Sequence, residues 1–220
     1  MKIKVIITGA TGMVGEGVMH ECLLDPDIAE VLVINRRPNG VQHPKLKEII
    51  HADFLNFTDL PIDFTVYQAC FFCLGVSSMG ISPEEYYRLT YELTLHVARI
   101  LATQNPEIIF CYVSGAGTDT SEKGLFLWAR VKGKTENDLM KLSFKKAYMF
   151  RPGFLSPTPS LKNTKSYYKY FNWLELALNI FFSNQMSTLR ELGRAMINTV
   201  KKGYPKQILE VKDIKVLAKV

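Results

Sequence analysis

Short apolar runs alternate along the chain with stretches whose apolar residues recur at helical spacing. Lys2 to Thr8 (KIKVIIT) predicts a β-branched strand ended by Gly9. Met13 to Leu24 carries apolar residues at 14, 18, 19, 22 and 23, the stripe of a helix closed by Asp25-Pro26. Further strands are predicted at Val31 to Asn35, Leu46 to His51, Gln68 to Leu74, Ile108 to Val113, Lys146 to Arg151 and Gln207 to Val211. Helices are predicted over Pro83 to Gln104, Glu122 to Ser143, near 171–183 and over 188–201, with a loop from Ser156 to Ser166.

Near-continuous apolar strands separated by helices are the mark of a parallel sheet covered on both faces. With right-handed crossovers, the economical topology is an α/β, doubly wound sheet of six or seven strands. Such sheets take ligands beyond the C-terminal ends of their strands, at the switch point beside the first strand. The length fits one domain, residues 1–220, whose C-terminal portion from about 155 to 220 is expected to cover a substrate.

Gly9-Ala-Thr11-Gly12-Met13-Val14-Gly15 lies at that switch point, between the first strand and the first helix. In the Rossmann pattern, Gly9 permits the tight turn, Gly12 lets backbone approach a pyrophosphate, and Gly15 lets the helix meet the sheet. The N–H groups and positive dipole end of the helix then face the phosphate. A Walker loop is excluded, because Val18 and Met19 follow Gly17 where Lys and Ser or Thr are required. Twenty positions past Gly15 stands Asn35, followed by Arg36 and Arg37. The ribose reader is expected there, and paired guanidiniums match a 2′-phosphate, favouring NADP(H) over NAD(H). Asp53 is placed either to reach the adenine amino group or to cap a helix.

Composition narrows the function classes. Hydrophobic residues make up 47% and charged residues 22% of 220, which excludes a disordered tail or a disulfide scaffold. The net charge of +6 is spread over distant basic pairs, so no nucleic-acid partner is expected. No run reaches the roughly 18 apolar residues of a membrane span; Asn172, Glu175 and Asn179 interrupt the most apolar late stretch, Phe171 to Phe182. Cys70 and Cys73 fall in a buried strand, YQACFFCLG, and read as structural thiols with no zinc set around them. With no apolar leader at the start, a cytoplasmic location is expected.

GATGMVG, NRR after the second strand, HADF after the third, CLG after the fourth and RPGFLSP after the sixth together resemble the extended and atypical short-chain dehydrogenase/reductases. That superfamily includes the nucleoside-diphosphate-sugar epimerases. The size and the late VKGKTE look closest to atypical NAD(P)-binding members, including the Tat-interacting oxidoreductase-like proteins. The resemblance covers about residues 1–155. It implies cofactor contacts from Thr11, Met13, Val14, Asp53, Phe54, Leu74 and Gly75 beside the glycines and arginines. Active members use a Tyr-x-x-x-Lys pair and a Ser or Thr after the fifth strand. Lys132 matches the lysine and Ser114 the serine, although a one-residue shift puts Gly115 there. Trp128 occupies the tyrosine position, and Tyr-x-x-x-Lys occurs nowhere in the chain. An indole cannot exchange a proton near pH 7.

Two functions follow from the resemblance. One is an NADP(H)-dependent reductase or epimerase-like oxidoreductase acting on an unknown small molecule with another proton donor, such as Tyr86 or Tyr87. The other is a non-enzymatic NADP(H)-responsive protein that works through a partner. The superfamily's helix pairing also implies a homodimer through LFLWARVKGKTENDLMKL.

Overall fold

The computed structural model describes residues 2–158, 161–163 and 186–219. The first strand, β1 (Ile3–Thr8), leads through the glycine turn into helix α1 (Met13–Leu24), as the periodicity predicts. Strands β2 (Ile28–Asn35) and β3 (Leu46–Ile50) follow, then short 3-10 turns at Phe54–Asp59 and Phe64–Val66, and β4 (Ala69–Phe72). Pro83 opens α2 (Pro83–Tyr87), where its missing N–H costs nothing, and Ser82 accepts a hydrogen bond from the Glu85 N–H. The expected single helix to Gln104 is interrupted by one π turn at Arg88–Glu92 before α3 (Leu93–Gln104).

Strand β5 (Ile109–Val113) is followed by α4 (Leu127–Leu139), which is shorter than the predicted Glu122 to Ser143. The reason is Asp119, whose carboxylate accepts the N–H groups of Ser121, Lys123 and Gly124 and holds that stretch as a turn. Strand β6 (Lys146–Arg151) and the short β7 (Phe154–Ser156) come next. The later elements are β8 (Met186–Thr188), α5 (Leu189–Lys202), β9 (Ile208–Glu210) and α6 (Val211–Leu217). Thr188 and Glu191 start α5 with a reciprocal capping box, a signal overlooked in the sequence, like β7, β8 and α6. The helix expected near 171–183 lies outside the described residues, as do residues 159, 160 and 164–185 of the expected substrate cover.

Seven strands form one parallel sheet in the order β3-β2-β1-β4-β5-β6-β9, the doubly wound arrangement expected. Alternate side chains of each strand enter different cores. Val5 and Ile7 join α1, α5 and α6 on one face, whereas Ile6, Phe72 and Phe110 join α3 and the 3-10 turns on the other. Both faces being apolar explains why the strands read as unbroken hydrophobic runs. Crossovers reverse direction between β1 and β4, so the C-terminal end of β1 faces an open crevice. The glycines lie there.

Candidate functional site

The glycine turn is built by close contacts that only glycine allows at two positions. Gly9 has φ +74, and a Cβ there would lie 2.8 Å from the Leu74 nitrogen in the loop after β4. A Cβ on Gly15 would come within 2.2 Å of the Gly9 carbonyl oxygen. Gly12 differs: it has φ −102 and meets only the Gly9 oxygen, at 3.4 Å. Gly12 is the exposed N-cap of α1, with little against its outer side. Thr11 is exposed, Met13 and Val14 are half-buried at the helix start, and Leu74 and the exposed Gly75 flank the turn. The first N–H groups of an α-helix such as α1 have no acceptor inside the helix itself.

Two buried side-chain atoms near this end lack partners among the described residues: Thr8 Oγ1 and Asn35 Oδ1, at the C-terminal ends of β1 and β2. Buried polar atoms without partners are uncommon. Asn35 Nδ2 donates to Glu48 Oε1 at 2.8 Å, and the Asn39 N–H donates to the same oxygen at 3.0 Å. A carboxylate thus stands beside Asn35, where the sequence predicts the ribose reader, and it comes from β3 and not from β2. Arg36 and Arg37 are exposed, and neither pairs with a carboxylate among the described residues. Asp53 accepts from the Leu55 N–H at 2.9 Å and caps the first 3-10 turn, one of the two roles expected of it. Phe54 is buried against Phe57 and His51.

A cavity of about 620 Å³ opens beyond the glycine turn. Val14 lines one end, residues 113–116 and 152–155 form its walls, and Met186 closes the other side. Ser114 contributes main chain to this wall, but its hydroxyl turns inward and donates to Glu136 Oε1 at 2.5 Å. Glu136 is fully buried and gripped by Arg151, with Nε at 3.1 and 3.2 Å and Nη2 at 2.5 Å from its carboxylate oxygens. Arg151 Nη1 also reaches Glu210 at 3.1 Å. Lys132 Nζ donates to the Ser114 carbonyl oxygen, and burial lowers its pKa to about 8, against the opposing charge of Glu136.

Trp128 lies one helical turn before Lys132, its ring edge 3.4 Å from where a Gly117 side chain would begin. Of the tyrosines considered as replacements, Tyr86 is buried in the core and Tyr87 packs at a tilt on Tyr91, with ring centroids 4.8 Å apart. Neither lines the cavity. Among the described residues, no group of His, Cys, Asp or Glu side chains could hold a metal ion. The four cysteines are free, and burial pushes the Cys73 thiol up to about 12, as suits a structural thiol.

Sequence reasoning missed Glu16, Glu48 and the Glu136–Arg151 pair. Glu16 is buried in the first turn of α1 and accepts the N–H groups of Lys162 and Asn163 at 2.9 and 2.7 Å, tying that late segment to the glycine turn. A buried acid in the first helical turn was visible in GMVGEG, but its partners lie 146 and 147 positions away. Glu136 stood in plain sight in VKGKTE, four residues after Lys132.

The profile of the NAD dependent epimerase/dehydratase family matches residues 5–122, more than half of the chain. The chain is 25% identical over 159 residues to Protein fmp52, mitochondrial, of Emericella nidulans, covering 70% of this chain and 67% of that protein. It is 26% identical over 155 residues to Protein fmp52-1, mitochondrial, of Aspergillus oryzae, covering 68% and 65%. The matches thus span about two thirds of these relatives' length. Among solved structures, WbmF of Bordetella bronchiseptica, in complex with NAD+, superposes with a TM-score of 0.67 at 12% identity, covering 99% of this chain and 77% of that one. A short chain dehydrogenase/reductase from Saccharomyces cerevisiae gives 0.67 at 14% identity, covering 99% and 98%. At such identities the likeness is one of fold. The relatives' names correct one expectation: they are mitochondrial proteins, and the cytoplasmic location does not stand. It rested on the first dozen residues and on unpaired cysteines, signals that do not tell one such compartment from another.

Proposed function

The chain belongs to the NAD dependent epimerase/dehydratase family, and from that premise we propose that it is an NADP(H)-binding oxidoreductase with a non-standard active site. The observation that carries the reading is the exposed Gly12 at the switch point, framed by Gly9 and Gly15, whose close contacts build the turn. The nicotinamide, when bound, supplies or accepts a hydride. Gly12 and the start of α1 hold the pyrophosphate, Arg36 and Arg37 hold the 2′-phosphate, and Lys132 holds the nicotinamide ribose. Val14 and the main chain of residues 114–116 exclude water from the reacting face. Trp128 leaves the usual proton donor missing. The relatives' names support a mitochondrial location.

A second reading, a cofactor-responsive protein without turnover, is favoured by the same Trp128 and by the Ser114 hydroxyl being committed to Glu136. Both readings require NADP(H), so cofactor preference is tested first. NADPH is expected to bind about tenfold or more tighter than NADH, a difference of about 1.4 kcal/mol, and Arg36→Asp to reverse the order. Fluorescence titrations giving equal affinities before and after the change would remove the NADP(H) preference.

A further inference from the structure

Glu16 stands in the first turn of α1, and its backbone N–H donates to the Gly12 carbonyl oxygen at 2.9 Å. The residue is only 5% exposed, a costly place for a carboxylate unless its oxygens are bonded. Both oxygens are bonded, and from one place. Oε1 accepts the Lys162 N–H at 2.9 Å and Oε2 accepts the Asn163 N–H at 2.7 Å. Leu161, just before them, packs against the core that α1 shares with α5. Residues 161–163 are therefore fixed to the start of α1, one helical turn from Gly12. The helix alone does not ask for this, because an acid in the first turn favours the dipole equally well from the water side. The Lys162 side chain is exposed, and its ammonium meets no carboxylate among the described residues.

We propose that Lys162 binds the pyrophosphate of the dinucleotide, and that Glu16 is the positioning residue that sets it beside the glycine turn. The inference deepens the dinucleotide reading above and rests on it. A pyrophosphate at Gly12 comes close to the buried Glu16 carboxylate, and like charges at short range oppose binding. The helix start offers only about half an elementary charge against them. The Lys162 ammonium, a point charge on a flexible stem, supplies the missing cation. Its backbone is held by Glu16, so that stem begins within one helical turn of the phosphate. Glu16 touches no phosphate itself; it acts through the Lys162 and Asn163 main chain. Because NADPH and NADH share the pyrophosphate, Lys162 acts on both alike, whereas Arg36 and Arg37 distinguish them.

The test is calorimetric titration of NADPH and NADH into the natural full-length chain, then into Lys162→Met, Glu16→Gln and the double variant. Lys162→Met should weaken both cofactors by the same factor, about fivefold at low ionic strength. The loss should shrink below about twofold in ~1 M salt, where charges are screened within ~3 Å. In the Glu16→Gln background, Lys162→Met should cost less than about twofold, the non-additivity that a positioning role requires. Should Glu16→Gln fail to fold, Lys162→Arg keeps the charge and should hold both affinities within about twofold of the natural chain. Unchanged affinity for both cofactors in Lys162→Met, a loss confined to NADPH, an equal loss with and without Glu16, or no recovery with arginine would each overturn the proposal. A natural chain that binds neither cofactor removes the dinucleotide reading and the proposal with it, and the first titration separates that outcome from the others.

Discussion

Burial takes the Lys132 ammonium out of water and lowers its pKa from 10.5 to about 8, while the Glu136 charge pulls the other way. Arg151 holds Glu136 from β6 and binds Glu210 of β9 as well, Tyr112 lies near Glu136 from β5, and Glu136 is the charge that Lys132 feels. The unfolded chain therefore holds this proton more strongly between pH 8 and 10.5. The group's cost to stability is fully present below pH 8 and disappears as the pH rises through that window. If Lys132 bonds the nicotinamide ribose as an ammonium, NADP(H) affinity should fall as the pH rises through about 8. In Lys132→Met the affinity should be lower throughout and lack that step; a step of unchanged midpoint in the variant would assign it elsewhere. At this scale the sequence was most legible where one residue type has one use, as at Gly9 and Gly15. It was least legible at Glu48, because Asn35 lies 13 positions away and the two meet only when β2 and β3 pair.

Helix α4 carries Trp128, Lys132 and Glu136 at successive four-residue steps, so all three share one face. Its lower end is fixed: Glu136 is locked by Arg151, and Thr135 bonds back to the Val131 carbonyl. Only the Trp128 position is open to change without breaking a hydrogen bond among the described residues. Trp128→Tyr should restore the phenol–ammonium spacing, a term worth typically 10²–10⁴-fold in rate for a positioned acid. NADPH oxidation with cyclohexanone is expected to be slow in the natural chain, to rise in Trp128→Tyr, and to vanish again when Lys132→Ala is added. Fast oxidation by the natural chain, indifferent to position 128, would show that another group moves the proton. The helix was foreseen from its periodicity; its start was not, because the Asp119 turn draws on N–H groups that no apolar pattern reveals.

Across the whole molecule, apolar runs in the sequence foretold a sheet with two buried faces, and the two cores bear this out strand by strand. The pieces missed are short and held by partners distant in sequence: β7 pairs with β8 across 32 positions, Phe154 to Met186, and β9 closes the sheet edge on β6. What ties the cofactor end to that edge is the chain Ser114–Glu136–Arg151–Glu210, joining β5, α4, β6 and β9. Arg151→Met would strand the fully buried Glu136 carboxylate on a lone hydroxyl, at a cost of about 3–5 kcal/mol. Urea denaturation should show that loss, and adding Glu136→Leu should recover most of it. A single variant as stable as the natural chain would mean the pair bears no part of the fold.

If the glycine turn holds a dinucleotide, its exposed middle position, Gly12, is where a side chain should block binding. Its φ of −102 is open to any residue and a Cβ there meets only the Gly9 oxygen, at 3.4 Å, whereas a Cβ at Gly9 or Gly15 would collide with backbone. Calorimetric titration of NADPH into the natural chain should give saturable binding at one site. Gly12→Val, with an unchanged far-ultraviolet circular dichroism spectrum and denaturation midpoint, should give none, because the Cβ branch fills the space where pyrophosphate meets backbone. Unchanged affinity in a folded Gly12→Val chain, or no saturable binding of NADPH or NADH by the natural one, would contradict the claim.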